Sequence, residues 1–264
     1  ALLSVCGYPN SITACYDPTR PLSREGETPN PLIANSFQKH SDTHYPTAGI
    51  VGGADGRIYS AGHGAGRTRR GGGWSWYDPD GGGTGGQKCD WDVLSMTDAV
   101  EGRYILMSGG GKLSCWDTTT RTFLYQEALD GLEHPGYIVE ALPGRVIGFT
   151  SRNAPEGVLH VLYGLDPVAR KVLWMKDVPA DPKSCRVKLY GNPYLFRRGP
   201  DGFLWTYFDD TLVRIDPRTA AVAPVGKLPV GKAFIAFADG GVYVAGEVGL
   251  CRVKGLSVPV VERK

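Results

Sequence analysis

Two neighbouring segments of this chain, QKHSDTHYPTAG and HGAGRTRRGG, contain three of its five histidines and a cluster of arginines. The first segment carries His40, His44 and Tyr45, and the second carries His63 and Arg67. Imidazole exchanges protons near neutral pH, and a guanidinium binds a carboxylate through two parallel hydrogen bonds. These residue types suit acid–base chemistry on an anionic substrate.

β-Elimination from a uronate is one such reaction, and it has three requirements. A cation must neutralise the carboxylate, a base must remove the α-proton, and an acid must protonate the leaving oxygen. Arginine can serve as the cation, histidine as the base, and tyrosine or histidine as the acid. The predicted catalytic set is His44, His63, Arg67, Tyr45 and Tyr137.

Other residues are predicted to bind the substrate without reacting. Trp74, in the segment GWSWYDP, could offer its indole face to a sugar ring, or it could pack between two sheets. The predicted substrate-binding residues are Trp74, Arg69, Arg70, His134, Arg152 and Asn153. The arginine-rich segment could instead be an ordinary solvated loop, or it could dock an acidic protein.

A divalent metal is the one cofactor for which the sequence offers a candidate site. His40, His44 and His63 could supply three imidazole ligands and leave a position open. The glycine-rich segments lack the G-x-x-x-x-G-K-[ST] pattern of a phosphate loop, so no nucleotide is predicted.

Composition excludes several classes of protein. The 264 residues carry a formal net charge of +2, which predicts no general attraction to nucleic acid. No apolar run reaches the ~18 residues that a bilayer-spanning segment needs, so no membrane insertion is predicted. The sequence indicates no cellular compartment.

The six cysteines form no C-x-x-C motif, which argues against a zinc ribbon or a redox site. Cys6 and Cys15 would lie opposite each other if a two-residue turn at Asn10 and Ser11 joined their strands. They could then form a disulfide. The alternative is a pair of small buried thiols in a reducing compartment.

A repeat organises the whole chain. An apolar or aromatic residue followed by aspartate recurs at Asp17, Asp78, Asp117, Asp166 and Asp216, at steps of 61, 39, 49 and 50 residues. A turn glycine and a short apolar strand precede four of these sites, as in DGRIYSA and DGFLWTY. Each unit therefore predicts a four-stranded antiparallel meander, and steps of roughly 40–50 residues are typical of propeller blades. The aspartates are predicted to form turns rather than to react.

The repeats resemble known families. The segment LVRIDPRTAAVAPVGKLPVG is similar to the repeats of YVTN and quinoprotein-like propellers, and GGADGRIYSAGHG with WYDP resembles a kelch blade. The resemblance implies a β-propeller and no particular activity, since propellers host enzymes and scaffolds alike.

The predicted fold is an all-β propeller domain spanning residues 1–264, with five full blades and a partial N-terminal blade that lacks its innermost strand. The approximate units are 1–47 (partial), 48–94, 95–135, 136–182, 183–230 and 231–264. Such a set would not close by itself, so the chain is expected to belong to a larger propeller of six to eight blades, or to be completed by another segment or chain.

Propeller geometry brings the candidate residues together. The loops between the second and third strands of a blade share one face with the loops that connect blades, and this face is predicted to hold the site. We expect the protein to bind or process a carbohydrate, with polysaccharide lyase-type β-elimination or glycan hydrolysis as the candidate reactions. The alternative is a non-catalytic scaffold for protein–protein interaction, whose partner would be an acidic protein.

Overall fold

In the computed structural model the described residues form β-strands, and the chain divides into two compact units, Ala1–Ala128 and Leu129–Lys264. The structure describes residues 3–7, 12–23, 29–36, 40, 48–64, 71–132, 135–155, 157–178, 196–208, 211–227, 234–246 and 249–259.

The first unit contains three antiparallel sheets whose strands are paired in chain order. The first sheet has three strands and the next two have four each. The strands are β1 (Leu3–Gly7), β2 (Ile12–Tyr16) and β3 (Leu32–Ser36); β4 (Ile50–Gly52), β5 (Ile58–His63), β6 (Gly72–Tyr77) and β7 (Thr84–Cys89); and β8 (Ser95–Ala99), β9 (Tyr104–Gly109), β10 (Lys112–Asp117) and β11 (Thr122–Glu127).

The second unit also contains three antiparallel sheets in chain order, two with four strands and a last one with three. The strands are β12 (Pro135–Leu142), β13 (Arg145–Ala154), β14 (Gly157–Asp166) and β15 (Lys171–Asp177); β16 (Arg197–Arg198), β17 (Leu204–Phe208), β18 (Thr211–Ile215) and β19 (Val222–Lys227); and β20 (Phe234–Ala238), β21 (Gly241–Gly246) and β22 (Gly249–Arg252).

These sheets confirm the predicted fold class, an all-β chain built from propeller blades. The first sheet has three strands, in agreement with the predicted partial blade. The last sheet was expected to have four strands, and it has three within the described residues. Among those residues, no helix has the length and hydropathy that crossing a membrane requires.

The repeated aspartates form turns, as predicted. In each of the five repeats, one carboxylate oxygen accepts backbone N–H groups two or three residues further on, at N···O distances of 2.8 to 3.3 Å. The pairs are Asp17 with Thr19, Asp78 with Asp80 and Gly81, Asp117 with Thr119 and Thr120, Asp166 with Val168 and Ala169, and Asp216 with Arg218. The N–H of Gly81 lowers the pKa of Asp78, and that of Ala169 lowers the pKa of Asp166, because each hydrogen bond favours the charged carboxylate.

In four of the five repeats, the fourth residue after the aspartate adopts a left-handed backbone conformation. Gly82, Arg121, Arg170 and Ala220 have φ values of 67°, 57°, 54° and 54°. In three of these turns the same residue donates its N–H to the aspartate carbonyl at 2.8 Å, which closes the turn. Only the copy at Gly82 uses glycine, so the other three repeats carry an unfavourable conformation in an L-residue.

We expect Arg121→Gly to raise the free energy of unfolding by about 0.5–1 kcal/mol, because glycine removes the left-handed strain and this gain exceeds its added chain entropy. Arg121 is exposed, so little packing is lost. Urea denaturation measures the change. Thr119→Gly is the control: Thr119 lies in the same turn, is exposed and is not among the positive-φ residues. It should lower the free energy of unfolding, and the same sign for both variants would contradict the explanation.

The glycines that join the first and second strands of each full repeat also behave as predicted. Gly56, Gly102, Gly144, Gly202 and Gly240 have φ values between 68° and 81°. Glycine adopts this conformation without steric cost, so these positions give the tight turns that the repeat requires.

Each unit has its own apolar core. In the first unit the core is rich in aromatic side chains and includes Tyr59, Trp74 and Trp91. In the second unit it is built around the fully buried side chains of Leu162, Leu204 and Trp205. Burial of apolar surface on both faces of the sheets is what allows these short strands to be stable.

Cys6 and Cys15 do not lie opposite each other, as a two-residue turn at Asn10 and Ser11 would require. Cys6 lies opposite Thr13 and Cys15 lies opposite Ser4, so the two cysteines are offset by two residues in the ladder. The register pairs Gly7 with Ile12, which makes the connection four residues long instead of two. Cys15 is a free, buried thiol.

Another cysteine of the first unit is also buried. Burial raises the pKa of Cys115 to about 12, so this thiol stays protonated at neutral pH and is not a nucleophile.

Candidate functional site

The arginine-rich segment connects β5 and β6 and has a well-defined base. His63 pairs with Gly72 in the ladder, and the N–H of Gly64 donates to the carbonyl of Gly71 at 2.7 Å. The connection that carries the arginines is therefore residues 65–70. Six predicted site residues lie outside the described part of the chain: His44, Tyr45, Arg67, Arg69, Arg70 and His134.

His63 is described, and it is buried at the base of this connection with 8% of its surface exposed. Its Nδ1 lies 2.9 Å from the carbonyl oxygen of Gly64. A carbonyl oxygen can only accept, so Nδ1 carries the proton and Nε2 is the ring atom with a lone pair in the neutral form. This contact fixes the imidazole against the backbone of the next residue.

The structure does not bring His40 and His63 together. The Nε2 of His40 lies 2.8 Å from the Thr84 hydroxyl, at the start of β7. His63 pairs with Gly72, and Gly72 pairs with Cys89 at the end of β7. His63 therefore lies beside the end of β7 and His40 beside its start. Thr84 and Cys89 are five residues apart along the strand, or about 17 Å. A metal site that includes both imidazoles is not compatible with this geometry, and no group of three His, Cys, Asp or Glu side chains in the described residues could hold a metal.

Trp74 lies in the interior of the first unit, 3% exposed. Its ring packs 4.6 Å from that of Trp116 and 5.7 Å from that of Phe123, both in the next sheet. The structure therefore places Trp74 in the packing between two sheets, the alternative that the sequence left open, and a sugar ring cannot stack on it.

Three predicted site residues of the second unit lie in strands and not in loops. Tyr137 is in β12, 7% exposed, within the apolar core. Arg152 and Asn153 are in β13, opposite Leu159 and Val158. The hairpin of β13 and β14 continues to the pair Ala154 and Gly157, so the segment predicted to be a loop is almost entirely strand.

One exposed carboxylate lies next to the base of the arginine-rich connection. Asp90 directly follows Cys89, the last residue of β7, and Cys89 pairs with Gly72. The Lys112 ammonium donates to both oxygens of Asp90, at 3.0 and 3.2 Å, and this lowers the pKa of Asp90. The carboxylate therefore already has a cationic partner.

Sequence reasoning missed a part-buried polar cluster that is found among the described residues of each unit. In the first unit the Tyr59 hydroxyl donates to Asp55 at 3.0 Å, and the guanidinium of Arg57 lies 3.7 Å from the Trp76 ring centroid. In the second unit the Trp205 indole N–H donates to Asp201 at 3.2 Å. The signal was present in the sequence, since both turns read D-G-x-x followed by an aromatic residue with a polar atom.

A second missed feature is a cavity of about 260 Å³ in the second unit. It lies beside the turn that joins β12 and β13, and its walls include Trp174, Arg145 and Arg218. No motif in the sequence marked these residues, because they come from three separate strands and turns that only the folded sheets bring together.

Comparisons with known proteins support the fold and no specific family. No family model matches the chain, and no curated protein matches it. In contrast, 554 chains among the solved structures match it. One is the extracellular domain of a protein described as a hybrid two-component system from B. thetaiotaomicron, with a TM-score of 0.54 and 13% sequence identity. The match covers 97% of this chain and 32% of that one, so this chain spans about a third of its length. The YVTN-like and kelch-like character of the repeats stays a prediction.

Proposed function

We propose that this protein binds an anionic glycan through the connection between β5 and β6, without chemically changing it. One observation carries the proposal. Three arginines and no acidic residue occupy the six positions 65–70, and the two ends of this connection are held together by the hydrogen bond between Gly64 and Gly71.

The arginines are close together in the sequence. Arg67, Arg69 and Arg70 fall within four consecutive positions of a connection whose two ends are joined by a hydrogen bond. We therefore treat them as one cluster of positive charge. Such a cluster suits a ligand with repeated carboxylates or sulfates, because each guanidinium can bind an anionic group through two hydrogen bonds.

His63 supports binding better than catalysis. Its Nδ1 is engaged by the Gly64 carbonyl and the residue is 8% exposed, so its evident role is to hold the base of the loop. A lyase-type β-elimination is the alternative, in which the Nε2 of His63 would be the base and Arg67 would neutralise the substrate carboxylate. Protein scaffolding is the other alternative, with an acidic protein in place of the glycan.

Charge reversal at the loop tests the proposal. We expect Arg69→Glu combined with Arg70→Glu to weaken binding of polygalacturonate about tenfold or more at low salt, since two attractive charges become repulsive. Isothermal titration calorimetry measures the affinity, with neutral dextran as the comparison ligand. The control variant combines Arg20→Glu with Arg121→Glu. Both residues are exposed in turns that follow repeated aspartates, so this variant changes the net charge equally.

Three outcomes would contradict glycan binding at this loop. The two double variants would bind polygalacturonate equally, or the unaltered protein would bind dextran as well as polygalacturonate, or it would bind neither. Appearance of the ultraviolet absorbance of an unsaturated uronate, lost in His63→Ala, would instead establish the lyase reaction.

A further inference from the structure

A cavity in the second unit suits a different kind of ligand. It has a volume of about 260 Å³. It lies between the sheet of β12–β15 and the turn that follows β18, at the end of the sheet where short turns connect the strands.

The floor and walls of the cavity are apolar. Ile147 and Leu165 are almost completely buried beneath it, and Leu173 forms part of its wall while remaining 41% exposed. The indole of Trp174 lies against the backbone of Gly164, where a Cβ would collide with it, so the ring has a defined position. A flat apolar group could enter and pack against this ring.

The charged groups at the cavity are mainly positive. Its lining includes Arg145 and Arg218 and no acidic residue. Arg145 forms an ion pair with Asp166, just outside the lining. Arg218 is exposed, and within the described residues it makes no ion pair. The nearby Asp216 directs one oxygen to the Arg218 N–H in its own turn. A ligand carboxylate near Arg218 would therefore meet an available cation.

We propose that this cavity binds a small aromatic carboxylate, with its ring beside Trp174 and its carboxylate at Arg218. The apolar floor selects the ring, and the guanidinium selects the anion. The proposal is independent of the glycan-binding loop, which belongs to the first unit.

Naphthoate and its neutral analogue naphthylmethanol test this site. We expect naphthoate to bind about tenfold more tightly than naphthylmethanol, and Arg218→Gln to remove that difference. Lys254→Gln, which removes the same charge at an exposed position outside the lining, should leave it intact. Ligand-observed NMR and calorimetry on the full chain measure both affinities.

A second pair of variants keeps the test independent of Arg218. Leu173→Glu places a carboxylate in the cavity wall and should weaken naphthoate binding more than naphthylmethanol binding. Leu124→Glu adds the same charge at a residue that is 46% exposed on β11, and should change neither. Equal affinities for the two ligands, no binding of either, or unchanged naphthoate binding in both Arg218→Gln and Leu173→Glu would overturn the proposal.

Discussion

Asp201→Ala should lower the free energy of unfolding by about 3 kcal/mol, because the substitution leaves a buried indole N–H without an acceptor as well as removing a turn hydrogen bond. The same oxygen of Asp201 accepts the Trp205 indole N–H and the Phe203 N–H, both at 3.2 Å. Trp205 is 1% exposed, so water cannot replace the lost acceptor. Urea denaturation followed by circular dichroism measures the loss.

Two control variants separate the causes. Asp201→Asn keeps an oxygen that can accept both N–H groups but loses the charge that faces Arg214 at 3.8 Å, and should cost about 1 kcal/mol. Asp216→Ala removes an aspartate whose carboxylate accepts the Arg218 N–H in a partly exposed turn, and should also cost about 1 kcal/mol. If Asp201→Ala cost no more than Asp216→Ala, the buried hydrogen bond to Trp205 would contribute nothing.

The comparison of Asp201 with Asp216 shows what a single sequence can predict. Both aspartates belong to repeated turns, and the turns followed from local chemistry, since an aspartate side chain and a glycine need only neighbouring backbone to form them. The repeat spacing then predicted the meanders. The repeat spacing did not show that Asp201 also accepts a hydrogen bond from the buried Trp205, four residues further on. The sequence allowed this contact but did not require it.

The candidate site was harder to predict because it depends on where strands end. Residues 152 and 153 were placed in a loop, but β13 and β14 remain paired as far as Ala154 and Gly157. Cys6 and Cys15 were placed opposite each other, but a connection two residues longer shifts the register. Strand ends and registers are decided by pairing with distant partners, and a shift of one or two residues moves a side chain to another face or rung.

Gly72→Ala should disrupt the base of the arginine-rich connection and with it the proposed binding of anionic glycans. A Cβ at Gly72 would lie inside van der Waals contact of the Gly62 carbonyl oxygen and 3.0 Å from the Cα of His63, and neither backbone atom can move without separating β5 from β6. We expect a loss of about 2–3 kcal/mol in the free energy of unfolding. We also expect polygalacturonate affinity to fall about tenfold or more, since the hydrogen bond that joins the loop ends depends on this rung.

Two other glycines separate the effect on the loop from a general loss of stability. Gly83→Ala lies in the connection between β6 and β7 of the same sheet, where a Cβ would be 3.6 Å from the nearest atom, and should change neither stability nor affinity appreciably. Gly136→Ala, in the second unit, would place a Cβ 2.5 Å from the Phe149 carbonyl oxygen. It should therefore destabilise the protein while the folded fraction keeps its affinity. If Gly72→Ala and Gly136→Ala lost stability equally and both retained affinity, the geometry of the β5–β6 base would have no part in binding, and the arginines would act through their charge alone.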